Sequence, residues 1–529
     1  MSGPSAHNVA DLLTRAAAQH GNRAALVTED ATRTWAQVDA TASRVASGLQ
    51  QRGVSVGSRV VVVLPTSAEF VTAYLGVLRA GGVAVPLSTE YTPGELARLI
   101  GRTEATVVIA GGSSLAAVRQ AVAGIADALV DPPDDLAGRS VPLLVVTGTA
   151  LPEETAYSDL ETFGGVATPH ERGGEDAAVM LFTSGSSADP RAALLSHRAL
   201  VSNLDQLMAL EPTPLGADDV MLAVLPMFHV YGLNTVLGEA LATGACLVLR
   251  ERFDVDETLE LIVRHGVTIV PAAPPMLLAL SEADGLEAAL AGVRYIVSGA
   301  AALSASLQEE LTARTGVTIH QGYGLTEAAP VVTTTLASTP KPGSVGRPLP
   351  GSQIMLVDDD GEPVHEGDPG EVVVRGPNLF SGYWPGDVEG PNPEGWWPTG
   401  DVAFVDEDGD LHLADRIKDI VIVNGFNVYP REVEEALVEH PAIAAAAVVS
   451  VPDRRTGEAV KAVVVAADGH ELSVEDVTNH CRDRLARFKR PTQIEIADEL
   501  PRTSIGKVAR GRLRDAAARD ADKKLAGLT

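Results

Sequence analysis

From Thr34 to about residue 400, amphipathic segments with helical spacing alternate with short apolar, β-branched runs. Thr34 to Gln37 reads as a capping box that opens an amphipathic helix ending near Gly53. Arg59 to Leu64 follows as a β-branched run, the pattern of a buried strand. Ser196 is placed to cap a helix running to about Leu210, and Val220 to Leu225 is again strand-like. Asp256 to His265 has helical spacing and is stopped by Gly266, with Val267 to Val270 as the next strand. Alternation of this kind predicts α/β layers with mostly parallel sheets.

The pattern changes after about Pro377. Trp384, Trp396 and Trp397 sit among Gly and Pro, so Pro385 to Gly400 reads as a long ordered loop rather than core. Asp406 to Asp410 (DEDGD) predicts a hairpin turn. Beyond Asp415 come a strand, a helix from Pro430, two strands near Ile443 to Val451 and Ala459 to Val465, a helix from Ser473, and another strand. That is a compact α+β unit large enough to fold as its own domain. No internal repeat appears, and the only compositional bias is toward Ala.

Composition bounds the function. The 529 residues correspond to roughly three or four domain-sized units. With 45% hydrophobic and 21% charged residues the chain can bury a large core. Its net charge of −29 argues against nucleic acid or an anionic membrane as partner, while leaving room for a locally positive cleft. Cys246 and Cys481 are the only cysteines, which excludes a disulfide scaffold or clustered Cys metal site. The N-terminus has no signal-peptide pattern, and no apolar run approaches the ~18 residues of a membrane span. The expectation is a soluble, cytoplasmic protein. Lysine is scarce, with seven against 34 arginines and none before Lys341, a bias that fits a GC-rich genome. A lysine inside a motif therefore carries more weight here than usual.

Four segments hold candidate chemistry. In LFTSGSSADPRAALLSH (181–197), Thr183, Ser184, Ser186 and Ser187 flank Gly185 directly after an apolar strand, Met180 to Phe182. Such a loop can offer backbone N–H groups, hydroxyls and one cation to a polyphosphate. It is not a Walker A loop, and alone it reads equally well as a solvated turn. Ser298 to Leu303 (SGAAAL) places small residues after a strand, where a flat ring could lie on backbone. Gln321 to Glu327 (QGYGLTE) joins an aromatic, two glycines, a hydroxyl and a carboxylate, and Thr399 to Asp401 (TGD) offers a carboxylate suited to ribose hydroxyls. Each alone reads as a turn; in this order they point to a nucleotide site.

With LGVLRAGGVAVPL (75–87), LPMFHVYG (225–232), DRIKDIVIVNGFNVYPREVE (415–434) and PRTSIGKVAR (501–510), these segments make the chain resemble the acyl-adenylate-forming superfamily over essentially its whole length. That superfamily comprises acyl-CoA ligases, adenylation domains of peptide synthetases, and luciferases. The resemblance implies an α/β fold: a large N-terminal domain of sheets with a β-barrel subdomain (1–414), a hinge (415–418) and a small mobile C-terminal α+β domain (419–529). It implies that Tyr323 stacks on adenine, with Gly299, Ala300 and Ala301 along the ring edge and Gly322 and Gly324 flanking. Asp401, helped by Arg416, would accept the ribose hydroxyls. Thr183, Ser184, Gly185, Ser186, Ser187, Arg191 and Thr326 would hold phosphates, and Glu327 would ligate Mg²⁺, a cation that needs only one or two protein carboxylates. Lys507 would be the catalytic cation of adenylation. Rotation at Lys418 would then remove it and bring Gly425 and Phe426 to line a pantetheine tunnel.

Departures from the family pattern are local. Ser187-Ala188-Asp189-Pro190-Arg191-Ala192 stands where the superfamily usually carries Thr-Gly-x-Pro-Lys-Gly. Arg191 can still clamp phosphate, whereas Ala188 and Ala192 would resist positive φ by ~1 kcal/mol or more. The acid pocket is expected beside His229 and Tyr231, with Ser298, Gly299 and Gly324. Amino-acid adenylators place an Asp after the Phe of this segment; His229 follows Phe228 here, which disfavours an amino-acid substrate. Pro271 to Leu280 (PAAPPMLLAL) is apolar, as in coumarate–CoA and fatty acid–CoA ligases, and implies an apolar monocarboxylic acid: aryl, fatty, or a polycyclic acid of secondary metabolism. ATP, Mg²⁺ and coenzyme A are the implied cofactors, with Lys489 near CoA phosphates. The alternative acceptor is a separate acyl carrier protein, and a non-catalytic nucleotide-binding member of the fold is a third reading.

Overall fold

The computed structural model describes residues 8–129, 140–165, 172–183, 191–358, 360–365, 367–385, 389–416, 419–423, 426–453, 457–503 and 507–525. The chain forms two compact units: Met1–Pro340 with Pro348–Gln353 and Arg375–Trp397, and Lys341–Arg347 with Ile354–Val374 and Pro398–Thr529.

The first unit carries two mostly parallel sheets flanked by helices. One runs Arg347–Pro348, Val331–Thr334, Thr318–Gly324, Tyr295–Ser298, Ile269–Ala272, Val220–Ala223, Cys246–Leu249, Ala24–Val27, Thr32–Thr34. Its central strands are parallel, while Val331–Thr334 and Thr32–Thr34 pair antiparallel with Thr318–Gly324 and Ala24–Val27. The other runs Tyr383–Trp384, Ala192–Ser196, Ala177–Phe182, Val83–Pro86, Arg59–Val63, Val107–Ala110, Leu143–Val146, Thr155–Ala156. Arg59–Val63 lies between two parallel neighbours, with its four valines fully buried. A strand covered on both faces has no use for alternation, which is why this run is continuously apolar.

The local signals fall where the physics requires them. Thr34 and Gln37 form a complete capping box on the helix Trp35–Gln51. Ser196 caps His197–Met208, and Asp254 caps Val255–His265, which ends on Gly266 in the left-handed conformation. The next strand, Ile269–Ala272, begins two residues later than the apolar run suggests.

Two expectations are corrected. Pro385 to Gly400 is not simply a loop: Trp396–Val405 is a ten-residue strand, and Trp397 is buried edge-on against Phe380 and Tyr383. The neighbouring Gly and Pro mark a turn at Asn392 to Gly395, closed by the Asn392 side chain accepting from the Glu394 and Trp396 N–H groups. Ala192 does not resist its conformation either. It opens the buried extended strand Ala192–Ser196, where no glycine is needed. Ala188 lies outside the described residues.

The second unit contains a sheet of Gln353–Val357, Gly370–Arg375, Trp396–Val405 and Leu411–Arg416, with DEDGD as the predicted hairpin turn. Lys341 bonds Asp406 and Asp408 at 2.8 and 2.6 Å and so offsets part of that turn's negative charge. Its second sheet runs Phe426–Val428, Val421–Val423, Gly457–Ala466, Ile443–Asp453, with Gln493–Ala497 added parallel to Gly457–Ala466. The helices Pro430–Val438 and Val474–Arg484, the latter capped by Ser473, fall where the sequence places them. No described helix is long and apolar enough to cross a membrane.

Candidate active site

QGYGLTE ends a strand and makes a turn. Tyr323 is buried near the end of Thr318–Gly324, and Thr326–Ala328 is a single 3₁₀ turn. Gly324 is required there, because a Cβ would stand 2.1 Å from the Pro330 carbonyl oxygen. Three buried asparagines hold the turn. Asn378 Nδ2 donates to Ala328 O at 2.7 Å and Val331 O at 3.2 Å, and Asn234 Nδ2 donates to Ala329 O at 2.7 Å. Asn203 donates to Val331 O at 2.8 Å and accepts from Val331 N–H at 3.1 Å. The Phe380 N–H donates to Glu327 O at 2.8 Å. A single wrong amide would leave a buried carbonyl unpaired, so the turn is stiffly determined. Sequence reasoning missed all three asparagines, which lie apart along the chain. For Asn203 and Asn234 an amide set among apolar helical positions is the one trace left, and Asn378 stands in a turn.

Glu327 belongs to a chain of polar contacts. Its carboxylate accepts a hydrogen bond from Tyr383 Oη. Burial, and then the Glu327 charge, hold the Tyr383 hydroxyl well above the ordinary phenol range. The Arg191 guanidinium lies over the Tyr383 ring, 4.5 Å from its centroid, and forms an ion pair with Glu389. Thr183 N–H donates to Arg191 O at 3.2 Å, closing the base of the Ser/Gly loop. Ser184, Gly185, Ser186 and Ser187 lie outside the described residues. Tyr383 and Glu389 were not foreseen; only three-dimensional pairing joins them to the loop.

The structure also brings Tyr231 to SGAAAL. Tyr231 Oη donates to Val297 O at 2.9 Å, and a Cβ on Gly299 would come within 2.9 Å of the Tyr231 ring. The glycine lets the ring approach the backbone closely. Ser298 is buried, and its Oγ has no partner among the described residues. Ala300 takes φ of 70°, a left-handed conformation costing an alanine ~1 kcal/mol, while Ala301 is exposed. Half-buried His229 turns its Nδ1 toward the Tyr231 N–H at 3.3 Å, just before the π-helical stretch Tyr231–Gly238. Such stretches are rare and concentrate at functional sites.

In the second unit, buried Asp401 donates its N–H to Thr399 Oγ1 at 3.1 Å and stands in register with residue 416 across the hairpin. The side chains of Arg416 and Phe426, and Lys418 and Gly425 altogether, lie outside the described residues. Lys489 forms an ion pair with Glu432, with Nζ 2.7 Å from Oε2. Lys507 is bonded to Thr503, its carbonyl accepting from Thr503 N–H at 2.7 Å and its N–H donating to Thr503 Oγ1 at 3.2 Å. Among the described residues no group of three or more His, Cys, Asp or Glu could form a metal cage.

The comparisons with known proteins cover nearly the whole chain. The family model of AMP-binding enzymes matches residues 13–384, and that of the AMP-binding enzyme C-terminal domain matches residues 432–507. The chain is 35% identical over 498 residues to 4-coumarate–CoA ligase 5 of Oryza sativa subsp. japonica, covering 91% of this chain and 89% of the relative. It is 33% identical over 528 residues to a long-chain-fatty-acid–CoA ligase of Bacillus subtilis (strain 168), covering 95% and 93%. Among solved structures, ATP-bound MatB from Rhodopseudomonas palustris superposes with a TM-score of 0.86 at 31% identity, covering 96% of this chain and 99% of that one.

Proposed function

The chain belongs to the AMP-binding enzyme family, and from that premise we propose how its residues divide the work of an AMP-forming acyl-CoA ligase. The enzyme uses ATP to convert a carboxylic acid to acyl-AMP and then transfers the acyl group to the thiol of CoA. The observation that carries this is the match to CoA ligases along more than nine-tenths of the chain.

In the first half-reaction a carboxylate oxygen of the acid attacks the α-phosphorus of ATP. The bond to the bridging oxygen breaks, and pyrophosphate leaves with its electron pair. Buried Tyr323 would stack on adenine, Asp401 would accept the ribose hydroxyls, and Thr183, Arg191 and Thr326 would hold phosphate oxygens. Arg191 already balances Glu389, so polyphosphate would exchange one anion for another at that guanidinium. A lone carboxylate beside a hydroxyl suits a hard cation that draws its remaining ligands from phosphates and water. Glu327 would hold Mg²⁺, which would offset the charge of the leaving pyrophosphate. Lys507 would stabilise the negative charge that develops at the α-phosphate.

In the second half-reaction the CoA thiolate adds to the acyl carbonyl carbon and AMP leaves. A boundary at 415–418 would let one nucleotide site serve both steps, with Gly425 and Phe426 lining the thiol's route and Lys489 meeting CoA phosphate in exchange for Glu432. The acid pocket would lie at His229, Tyr231 and Gly299 and take an apolar monocarboxylic acid.

The test is acid-dependent release of pyrophosphate and AMP across aryl, fatty and polycyclic acids, with and without CoA. Formation of one acyl-CoA class is the expected result. Pyrophosphate release without thioester would overturn CoA as acceptor, and no release with any acid would overturn the catalytic reading.

A further inference from the structure

The helical stretch that opens with Tyr231 continues to a buried carboxyl that the mechanism above leaves unused. Asp219 and Asp419, buried acids elsewhere, bond Arg294 at 2.6 Å and Arg514 at 2.7 Å. Glu239 is only 7% exposed, and no described residue hydrogen-bonds or ion-pairs with its carboxyl. Four residues earlier, Thr235 Oγ1 is buried and also without a partner among the described residues. At roughly four to five residues per turn, positions 231, 235 and 239 fall on one face of the π-helical stretch and its continuation. Tyr231 heads that face, against Val297 O and Gly299.

The electrostatics place Glu239 along the same wall. Burial first, and the Glu239 charge second, hold the hydroxyls of Tyr231 and Tyr295 above the ordinary phenol range. Tyr295 lies two residues before Val297 and so on its side of the strand. Burial alone pushes the Glu239 carboxyl up to about 8. The helices Val9–His20 and His197–Met208 pack against this stretch, and their Arg15, His20, His197 and Asp205 add nothing to that shift.

Among the described residues neither the largely buried Glu239 carboxyl nor the buried Thr235 hydroxyl has a partner, and on the face that Tyr231 heads such groups are costly unless a ligand satisfies them. A hydroxyl on the ligand would need only another hydroxyl opposite it. A carboxyl in an otherwise uncharged wall is matched by a basic nitrogen, since the pair is neutral and charge-assisted. We propose that Glu239, with Thr235, is the specificity group at the far end of the acid pocket, and that the substrate is an otherwise apolar acid carrying a basic amino group remote from its carboxylate. The inference rests on the ligase reading with its acid pocket at Tyr231. Two helical turns separate Tyr231 from Glu239, so the nitrogen lies at most ~12 Å along the axis from the reacting end. The ammonium enters charged, Glu239 gives its proton to solvent, and an ion pair remains. Binding of such an acid therefore tightens as pH rises toward 8, and binding of its neutral counterpart does not.

The experiment compares two matched pairs, 4-(aminomethyl)cinnamate with 4-methylcinnamate and 8-aminooctanoate with nonanoate, in wild type, Glu239→Gln and Glu239→Leu. The readout is kcat/KM for acid-dependent pyrophosphate release between pH 6.5 and 8.5, with thermal unfolding to verify that each variant is folded. In the wild type the amino member wins in at least one pair, and its KM falls about tenfold over that range. Glu239→Gln cuts the amino-to-neutral ratio at least tenfold and flattens the pH dependence. If Glu239→Leu does not fold, Glu239→Gln decides. A ratio unchanged in a folded variant, or a wild type that turns over only the neutral members, overturns the inference and leaves the ligase reading standing. A wild type that releases pyrophosphate with no acid at all fells both.

Discussion

Glu239 leaves a signature on stability as well as on specificity. Its ordinary pKa of 4.5 rises to about 8 in the fold, so between those values the unfolded chain has lost a proton that the native state keeps. The native state then binds more protons, and stability falls as pH rises from 4.5 toward 8. Glu239→Gln removes this dependence. The variant's melting temperature should gain on wild type steadily from pH 4.5 to 8, and a gap constant with pH would sink the assignment. Asn378 gives a second residue-scale prediction. Asn378→Ala strips the buried Ala328 carbonyl of its donor while Val331 O keeps Asn203, which costs ~1–3 kcal/mol. Asn378→Asp is worse, because it puts an acceptor against them. Denaturant midpoints should rank wild type above Ala above Asp, with ATP-dependent pyrophosphate release falling in the same order. Neither residue was legible beforehand. Tyr323, Thr326 and Glu327 stand within five positions and declare themselves as a motif, whereas Asn203, Asn234 and Asn378 act together only once the chain is folded.

Whole elements were read more reliably where their cause was local. A capping box needs four consecutive residues, so Thr34 announced its helix, and the left-handed stop at Gly266 ended another on time. The start of the strand Trp396–Val405 was missed because its Gly and Pro neighbours mimic a loop, although its later half pairs with Leu411–Arg416 across the predicted DEDGD turn. The end of Thr318–Gly324 shows what a close approach demands of one element. Gly324→Ala would push a methyl group against Pro330 O and prise the strand from Val331–Thr334, at a cost of ~1–3 kcal/mol. The displaced turn carries Thr326 and Glu327. The variant should therefore remain folded, with a lowered melting temperature, and lose most of the stabilisation that wild type gains from added ATP. Equal ATP stabilisation in the two proteins would separate this turn from nucleotide binding.

At the scale of the molecule, a chain of net charge −29 must hold two polyanionic substrates, and three of its seven lysines are committed elsewhere. Lys341 holds the hairpin turn, Lys461 bonds Glu495 at 2.7 Å, and Lys489 bonds Glu432. Lys507 is fastened to Thr503 beside the bridge between Arg502 and Val508, which ties its backbone within its own unit. The unit that contains it is not the one that contains Tyr323 and Glu327. If Lys507 serves only the adenylation step, its removal must separate the two half-reactions. Lys507→Ala should lower acid-dependent pyrophosphate release by roughly 10²-fold or more, the size of effect seen when one preorganised charge stabiliser is lost. Thioester formation from supplied acyl-AMP and CoA should stay within a few-fold of wild type, because no pyrophosphate leaves in that step. Parallel loss of both would mean that Lys507 supports the fold of its unit rather than one transition state. Loss of the second step alone would place it with the acceptor thiol, and the assignment of cations to half-reactions would have to be reversed.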